Sequence, residues 1–258
     1  MTTTEVKGLV LRSVNIGESD KLISIFTESS GTLTALVKGG RSLKNKNLAP
    51  TQQFTYSSFV LDQRGDKLRV KEASIIESFF GLRDSIEGLS LAGYIVEVLS
   101  DVTTAESDPA LLRLSLNCLY AISEKKSPLE KIKAAFEIRA LSIIGFMPEV
   151  LVCRECGKRE GDFIFDIMGG NIECTQCHRE NEYAAPVLDD GQRHLVAILP
   201  EGAKIALGYL IHCPVERLFA FNISDEDMKL LATACEGYLV NQLERSFRSL
   251  EFYKEVKR

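Results

Sequence analysis

"TLTALVKGGRSLKNKNLAPTQQ", residues 32–53, begins as a strand and then stops behaving like one. Thr32, Leu33, Thr34, Ala35, Leu36 and Val37 are β-branched or apolar in partial alternation, the pattern of a half-buried strand. From Lys38 to about Gln53 the chain turns rich in Gly, Ser and Asn and is too long for a hairpin turn. Around it, the same criteria predict strands at about Val6–Asn15, Lys21–Thr27, Gly31–Lys38, Phe54–Leu61 and Lys67–Glu77. The other breaks are short and rich in turn residues: Gly17-Glu18-Ser19-Asp20, Ser29-Ser30-Gly31 and Asp62-Gln63-Arg64-Gly65-Asp66. Five antiparallel strands with one long connection after the third predict a small Greek-key barrel of the OB type, with room for a short helix in that connection. A small SH3-like barrel is the alternative.

The long connection is also where charge concentrates. Lys38, Arg41, Lys44 and Lys46 are the only charged side chains between Glu28 and Asp62. Residues 1–80 carry a net +3 while the whole chain is at −5, so the remainder is at −8. Such asymmetry fits a polyanion on the first part and neutral or cationic partners on the second, against the plain alternative of a solvated loop. Phosphate contacts dominate nucleic-acid affinity, and Lys or Arg supplies them. In OB folds, bases stack on aromatics while cations follow the backbone. Candidate DNA-binding residues are therefore Lys38, Arg41, Lys44 and Lys46, with Tyr56 for stacking and Lys67 and Arg69 on an alternating strand face with Lys71. Phe54 and Phe59 are read as barrel filling, and Arg12 and Arg64 could extend the basic surface.

After about residue 80 the apolar period becomes helical. Helices are predicted at Leu82–Val102, at Ala110–Ser123 behind the Asp108-Pro109 start, from Ser127-Pro128-Leu129-Glu130 to Ile144, at Asp190–Ile198, and from Ser224 onward. Ser127 and Glu130 are expected to form a capping box, and Gly145 to end that helix. The predicted organisation is a barrel over 1–80 and a helical part over 81–258, with a cysteine module at about 150–185.

That module is the sharpest local signal. Cys153-x-x-Cys156 and Cys174-x-x-Cys177 flank a strand–turn–strand pattern, Phe163-Ile164-Phe165 and Met168-Gly169-Gly170-Asn171-Ile172. Two knuckles on a hairpin make a zinc-ribbon-like four-cysteine insertion holding one structural Zn2+, since four thiolates leave no open coordination position. Arg154, Lys158, Arg159 and Arg179 stand nearby to offset the thiolate charge. A redox dithiol and an iron–sulfur cluster are the alternatives. Cys118, Cys213 and Cys235 lie in apolar contexts as inert thiols.

Catalytic patterns are missing. Gly39-Gly40-Arg41-Ser42 is not a G-x-x-x-x-G-K-[ST] loop, and neither H-E-x-x-H nor a zinc-deaminase signature occurs. His178, His194 and His212 have no evident nucleophile partner, so no enzyme activity is expected. The start, MTTTEVKGLV, lacks a signal-peptide pattern, and no run approaches ~18 apolar residues. The expectation is a soluble cytoplasmic chain.

Lys7-Gly8-Leu9-Val10-Leu11, Glu18-Ser19-Asp20-Lys21-Leu22, Phe26-Thr27, Gly31 and Val37-Lys38-Gly39-Gly40-Arg41-Ser42 together resemble the opening of the bacterial RecO family. Gly145-Phe146-Met147-Pro148 leading into Cys153-x-x-Cys156-Gly157 resembles its middle, in the same order along the chain. The resemblance implies an N-terminal OB fold, a helical domain, and a nucleoid-associated role as a non-catalytic recombination mediator. It also implies binding of single- and double-stranded DNA, strand annealing, and help in loading RecA onto DNA coated by single-strand-binding protein. RecR and the acidic tail of single-strand-binding protein are the implied partners. Lys125, Lys126, Lys131, Lys133 and Arg139 are the compositional candidates for the tail site. Two rival readings remain: a protein-binding adaptor that does not touch DNA, and an RNA-binding zinc-ribbon protein.

Overall fold

The computed structural model describes residues 2–104, 108–184 and 195–257. Five strands open the chain: β1 (Thr2–Ile16), β2 (Asp20–Thr27), β3 (Thr32–Val37), β4 (Tyr56–Arg64) and β5 (Lys67–Glu77). They close into a barrel in the order β1-β2-β3-β5-β4, with β4 pairing back onto β1. Every pairing is antiparallel except β3 with β5, which meet in parallel at Ala35–Leu68 and Leu36–Arg69. A tight turn after β3 would have made β4 its neighbour. The long connection instead carries the chain past the position that β5 later fills, which is the Greek-key step of an OB barrel.

Alternation places Ile23 and Ile25, Ala35 and Val37, and Phe59 and Leu61 in the barrel interior with Val6, Val10 and Val70. Gly8 is required on β1, because a Cβ there would stand 2.5 Å from the Ile25 side chain and 2.7 Å from the Phe26 carbonyl. A register shift between Val10 and Arg12 leaves Leu11 as the extra residue of a bulge, and the run Gly8–Leu11 is buried on both faces of β1. Leu9, Leu11 and Phe26 are all buried. Their cover comes from the first two helices, α1 (Ile86–Val102) and α2 (Pro109–Ser123), which pack on β1 and β2.

Helix α1 starts later than the predicted Leu82. A 3-10 turn over Phe80–Asp84 comes first, and Ser85 caps the helix by accepting from the Gly88 N–H at 2.9 Å. Asp108 caps α2 as expected, accepting from the Ala110 N–H at 2.7 Å. Helix α3 (Leu129–Ile143) departs from expectation: Pro128 itself holds the cap position and no side chain caps the helix. Ser127 therefore stands one residue too far out for the capping box. Gly145, at φ 103°, ends the helix with Phe146 N–H donating to the Leu141 carbonyl at 2.8 Å.

Strands β6 (Phe163–Asp166) and β7 (Asn171–Cys174) form the hairpin between the cysteine pairs, and α4 (Thr175–Ala184) follows directly. Residues 190–194 of the predicted Asp190–Ile198 helix lie outside the described residues. Residues 196–198 correct that prediction, because Val196–Leu199 is strand β8, antiparallel to β6. A short apolar run fits either element, and the open edge of β6 decides it. Helices α5 (Glu201–His212), α6 (Asp225–Gln242) and α7 (Arg248–Val256) complete the chain. Ser224 caps α6 through the Asp227 N–H at 3.0 Å, with Asp225, Glu226 and Asp227 in its first turn.

By packing, the chain forms two compact units, Met1–Lys126 with Phe247–Arg258, and Ser127–Ser246. The first unites the barrel with α1, α2 and α7, where Phe247 meets Tyr94 edge-on at 5.8 Å and Glu97 accepts from the Ser249 N–H at 2.9 Å. In the second, α3, α5 and α6 pack together and the three-stranded sheet β7-β6-β8 lies against α6.

Candidate nucleic-acid interface and metal centre

The basic connection is a run of consecutive turns rather than the short helix allowed for by its length. N–H groups of Gly40, Ser42, Asn45 and Leu48 each donate three residues back, at 3.0–3.2 Å. Side chains fasten this run to the barrel. Asn45 Nδ2 donates to the Lys38 carbonyl at 2.9 Å, which closes segment 38–45 on itself. Asn47 is buried, donates to the Lys71 carbonyl at 3.4 Å and accepts from the Ala73 N–H at 3.0 Å. Asp20, at the start of β2, accepts from the Gly39 N–H at 2.7 Å. That bond, then the Ser19 hydroxyl, with Lys38 and Arg69 nearby, holds its carboxyl below the usual range.

The four loop cations are all exposed, but they are not equivalent. Arg41 turns back onto the β1–β2 turn, where Nη1 donates to the carbonyls of Gly17 at 3.1 Å and Glu18 at 2.9 Å. Lys46 pairs with Glu72 at 2.7 Å. Lys38 and Lys44 form no ion pair among the described residues. Leu43, between Arg41 and Lys44, is 92% exposed.

The remaining candidates divide further. Lys67 is exposed on β5, opposite Arg64. Arg69 is half-buried, and its Nε is enclosed without a hydrogen-bond partner among the described residues. A register shift between Val60 and Leu61 brings both Lys71 and Glu72 to the surface, so the basic stripe expected on β5 carries an acid in it. Tyr56 sits opposite Leu9 and is only 9% exposed, with its hydroxyl donating to Glu28 at 2.7 Å. Burial, that bond and the Glu28 charge push its pKa up. Its ring is packed inside the protein, so no base can stack on it. Phe54 and Phe59 are also buried, as read from the sequence, and Phe54 adopts φ 69° where the connection rejoins β4.

The Sγ atoms of Cys153, Cys156, Cys174 and Cys177 all lie within 4.8 Å of one another. The hairpin of β6 and β7 and the start of α4 bring the second pair beside the first. Arg154 N–H donates to the Ile172 carbonyl at 2.9 Å, and Cys174 N–H donates to Cys153 Sγ at 3.3 Å. Burial raises the Cys153 pKa, but backbone N–H groups of Cys156, Cys174 and Glu155 outweigh it and bring the thiol down to about 6. Cys177 is pushed the other way by the sulfurs of Cys174 and Cys156. Four sulfurs this close need a cation between them to be thiolates together, and the donor set fits a metal ion.

Around the cluster stands a second layer that the sequence did not reveal. Glu173 is buried and accepts from Arg154, from Asn181 Nδ2 at 3.3 Å and meets His178 Nδ1 at 3.1 Å. His178 is thus held by a carboxylate. Arg154 also meets Glu155 at 3.2 Å and Asp166 at 3.5 Å, so its charge is shared among three acids. From α5, Lys204 reaches the carbonyls of Leu151 at 3.1 Å and Arg159 at 2.7 Å and steadies the first knuckle.

The basic residues first considered for a partner surface are mostly structural. Lys133 is buried between Glu137 at 2.8 Å and Glu236 at 2.7 Å, on α3 and α6. Arg139 donates to the last carbonyls of α5, Leu210 at 3.1 Å and Ile211, and to Cys213 at 2.8 Å. Lys131 donates to the Phe221 carbonyl and lies over its ring at 4.3 Å. Lys125 pairs with Asp84 at 3.6 Å, and Lys126 is exposed. Cys118 and Cys235 are buried, and burial raises both thiols. His194 lies outside the described residues.

Two family models divide the chain where its character changes: "Recombination protein O N terminal" matches residues 1–79 and "Recombination protein O C terminal" matches residues 83–251. This chain belongs to the RecO family. A DNA repair protein RecO from Acetivibrio thermocellus is 34% identical over 100% of this chain and 99% of the relative. Those from Alkaliphilus metalliredigens and Caldicellulosiruptor saccharolyticus are 28% and 27% identical, over 98% and 100% of this chain and 99% and 100% of theirs. The RecO family places the protein in DNA repair and recombination. No described helix is long and apolar enough to cross a membrane.

Proposed function

We propose that this RecO-family chain is a non-catalytic recombination mediator that grips the DNA backbone with its basic loop. The observation that carries the reading is the loop itself: Lys38 and Lys44 stand exposed and without ion-pair partners among the described residues, on a connection fixed to an OB barrel. Lys46, Lys67 and Arg69 extend the positive surface. Arg41 adds charge although its guanidinium is engaged, and Tyr56 takes no part. Residues 1–80 are then the DNA-binding part, and 81–258 the part that meets protein partners. Family membership supports annealing of complementary strands, delivery of RecA to DNA coated by single-strand-binding protein, and RecR and that protein's acidic tail as partners, in the cytoplasm at the nucleoid.

The metal we assign is one structural Zn2+, held by Cys153, Cys156, Cys174 and Cys177. With Zn–S bonds of about 2.3 Å, the sulfurs of a tetrahedral site stand about 3.8 Å apart. Cys156 and Cys174 are 3.8 Å apart here. All four positions are filled by protein, so the ion would brace the two knuckles and activate no water.

Salt-dependent binding to a single-stranded oligonucleotide tests the DNA reading. Converting Lys38 and Lys44 together to Glu is expected to weaken binding at least tenfold and to lower the log–log salt slope by up to about 1.4, at ~0.7 per phosphate contact. Unchanged affinity and slope would remove the loop from DNA contact and favour the adaptor reading.

A further inference from the structure

The most exposed large apolar side chain among the described residues is Leu43, and it sits within the most basic segment of the chain. A single exposed leucine is ordinary on a protein surface. This one differs in how it is presented. Segment 38–45 is closed by the bond from Asn45 Nδ2 to the Lys38 carbonyl, so Lys38, Leu43 and Lys44 stand on one tight ring of backbone. Three further bonds fix that ring from the barrel side: Asp20 holds the Gly39 N–H at 2.7 Å, and Arg41 holds the carbonyls of Gly17 and Glu18. A loop already ordered loses little conformational entropy when it binds, and it cannot withdraw an apolar tip by refolding.

We infer that the loop is a prefolded wedge: Leu43 contacts unpaired bases while Lys38 and Lys44 take the adjoining phosphates, and Asp20 and Arg41 are positioning residues that hold it in that presentation. The inference rests on DNA contact by this loop. Apolar side chains gain by covering base faces only where the bases are unstacked, as in single strands or at distorted steps. In an intact duplex the faces are occupied by neighbouring bases, and only the phosphates remain for the two lysines. Leu43 thereby becomes the residue that separates single strand from duplex.

Asp20 gives the inference a test of sign. It is an acid beside a phosphate-binding loop, and removing its charge strengthens DNA binding if long-range repulsion is its main effect. As the acceptor for Gly39 N–H it does the opposite, because its loss loosens the ring that carries Leu43. Arg41 acts in the same way from the other side of the ring, one guanidinium nitrogen donating to both the Gly17 and Glu18 carbonyls, so Arg41→Ala is expected to loosen the ring as well as remove a charge.

The experiment uses the full chain and two probes, a 2-aminopurine-labelled single-stranded oligonucleotide and the matching duplex, each over a salt series. Leu43→Ser is expected to weaken single-strand binding several-fold and reduce the 2-aminopurine response, with the salt slope and duplex affinity unchanged. Asp20→Ala, which removes both the charge and the acceptor for the Gly39 N–H, is expected to weaken single-strand binding several-fold despite the loss of a negative charge, with recovery in Asp20→Asn, whose amide oxygen still accepts. Unchanged single-strand binding in Leu43→Ser, or an equal loss on duplex, overturns the base contact. Equal or tighter binding in Asp20→Ala overturns the positioning role. Lys38→Glu with Lys44→Glu separates the premise: no change in that variant removes the loop from DNA altogether, whatever Leu43 does.

Discussion

Lys44 and Lys133 are the same residue type put to opposite uses. Lys44 stands in water on the barrel loop with no ion-pair partner among the described residues. Lys133 is buried between Glu137 and Glu236, where two helices of the other unit meet. Burial lowers the Lys133 pKa, but the charges and hydrogen bonds of the two carboxylates outweigh it and raise it above the ordinary lysine value. A solvated cation contributes almost nothing to folding and is available to a phosphate. A buried one is committed, because removing it leaves a carboxylate enclosed without its counter-charge. The basic residues of the two units therefore answer different questions, and counting lysines does not separate them.

The largest effect that would sharpen this contrast is loss of the metal. Chelation, or Cys174→Ser, is expected to strip amide-exchange protection from residues 153–177 while the barrel strands keep theirs, since metal binding and local folding are one event in such modules. Elemental analysis should find about one zinc per chain before treatment, and exchange mapping afterwards should show the boundary. Next comes Lys133→Met, expected to destabilise the unit of α3 and α6 by about 3–5 kcal/mol in denaturant unfolding. Lys44→Met should change stability by no more than about 0.5 kcal/mol while weakening DNA binding. If the two variants lost stability equally, the comparison would fail.

Two smaller effects test the loop alone. Glu72→Gln releases Lys46 from its ion pair and should tighten single-strand binding a few-fold at low salt, fading as salt rises. Asp20 supplies the pH dependence. Its pKa is depressed in the folded chain, so its bond to Gly39 contributes fully above the unfolded carboxylate value and is lost only as pH falls through the lower folded value. The Gly39 amide resonance should therefore hold its position through the usual carboxylate range, near ~3.9, and shift only below it.

Much of the candidate site was legible in the residues. Cys153-x-x-Cys156 and Cys174-x-x-Cys177 are readable because a knuckle is a local motif, and the hairpin between them follows from alternation in Phe163–Phe165 and Asn171–Cys174. The loop cations were equally plain. Glu173 was not, since a single acid beside a cysteine carries no pattern until Arg154, His178 and Asn181 converge on it. Tyr56 was misplaced for a related reason. Alternation puts it on the outer face of β4, and only the helices packed on the neighbouring strands make part of the barrel's outer surface an interior. Helix α5 was overlooked although Ala203, Ala206, Leu207 and Leu210 repeat at helical spacing behind Pro200.

By itself, the sequence determined the five strands and their long third connection, the four-sulfur site, and where positive charge would gather. Each depends on neighbours within a few residues or on simple alternation along the chain. Tertiary structure alone decided which cations remain available. Arg41 is turned onto Gly17 and Glu18, Lys46 onto Glu72, Lys133 between Glu137 and Glu236, and Arg139 onto the end of α5. Apart from Lys133 with Glu137, one turn apart on α3, those partners stand far along the chain and meet only when the barrel closes or the helices pack. A charge's task is set by what surrounds it, and that is a property of the folded chain.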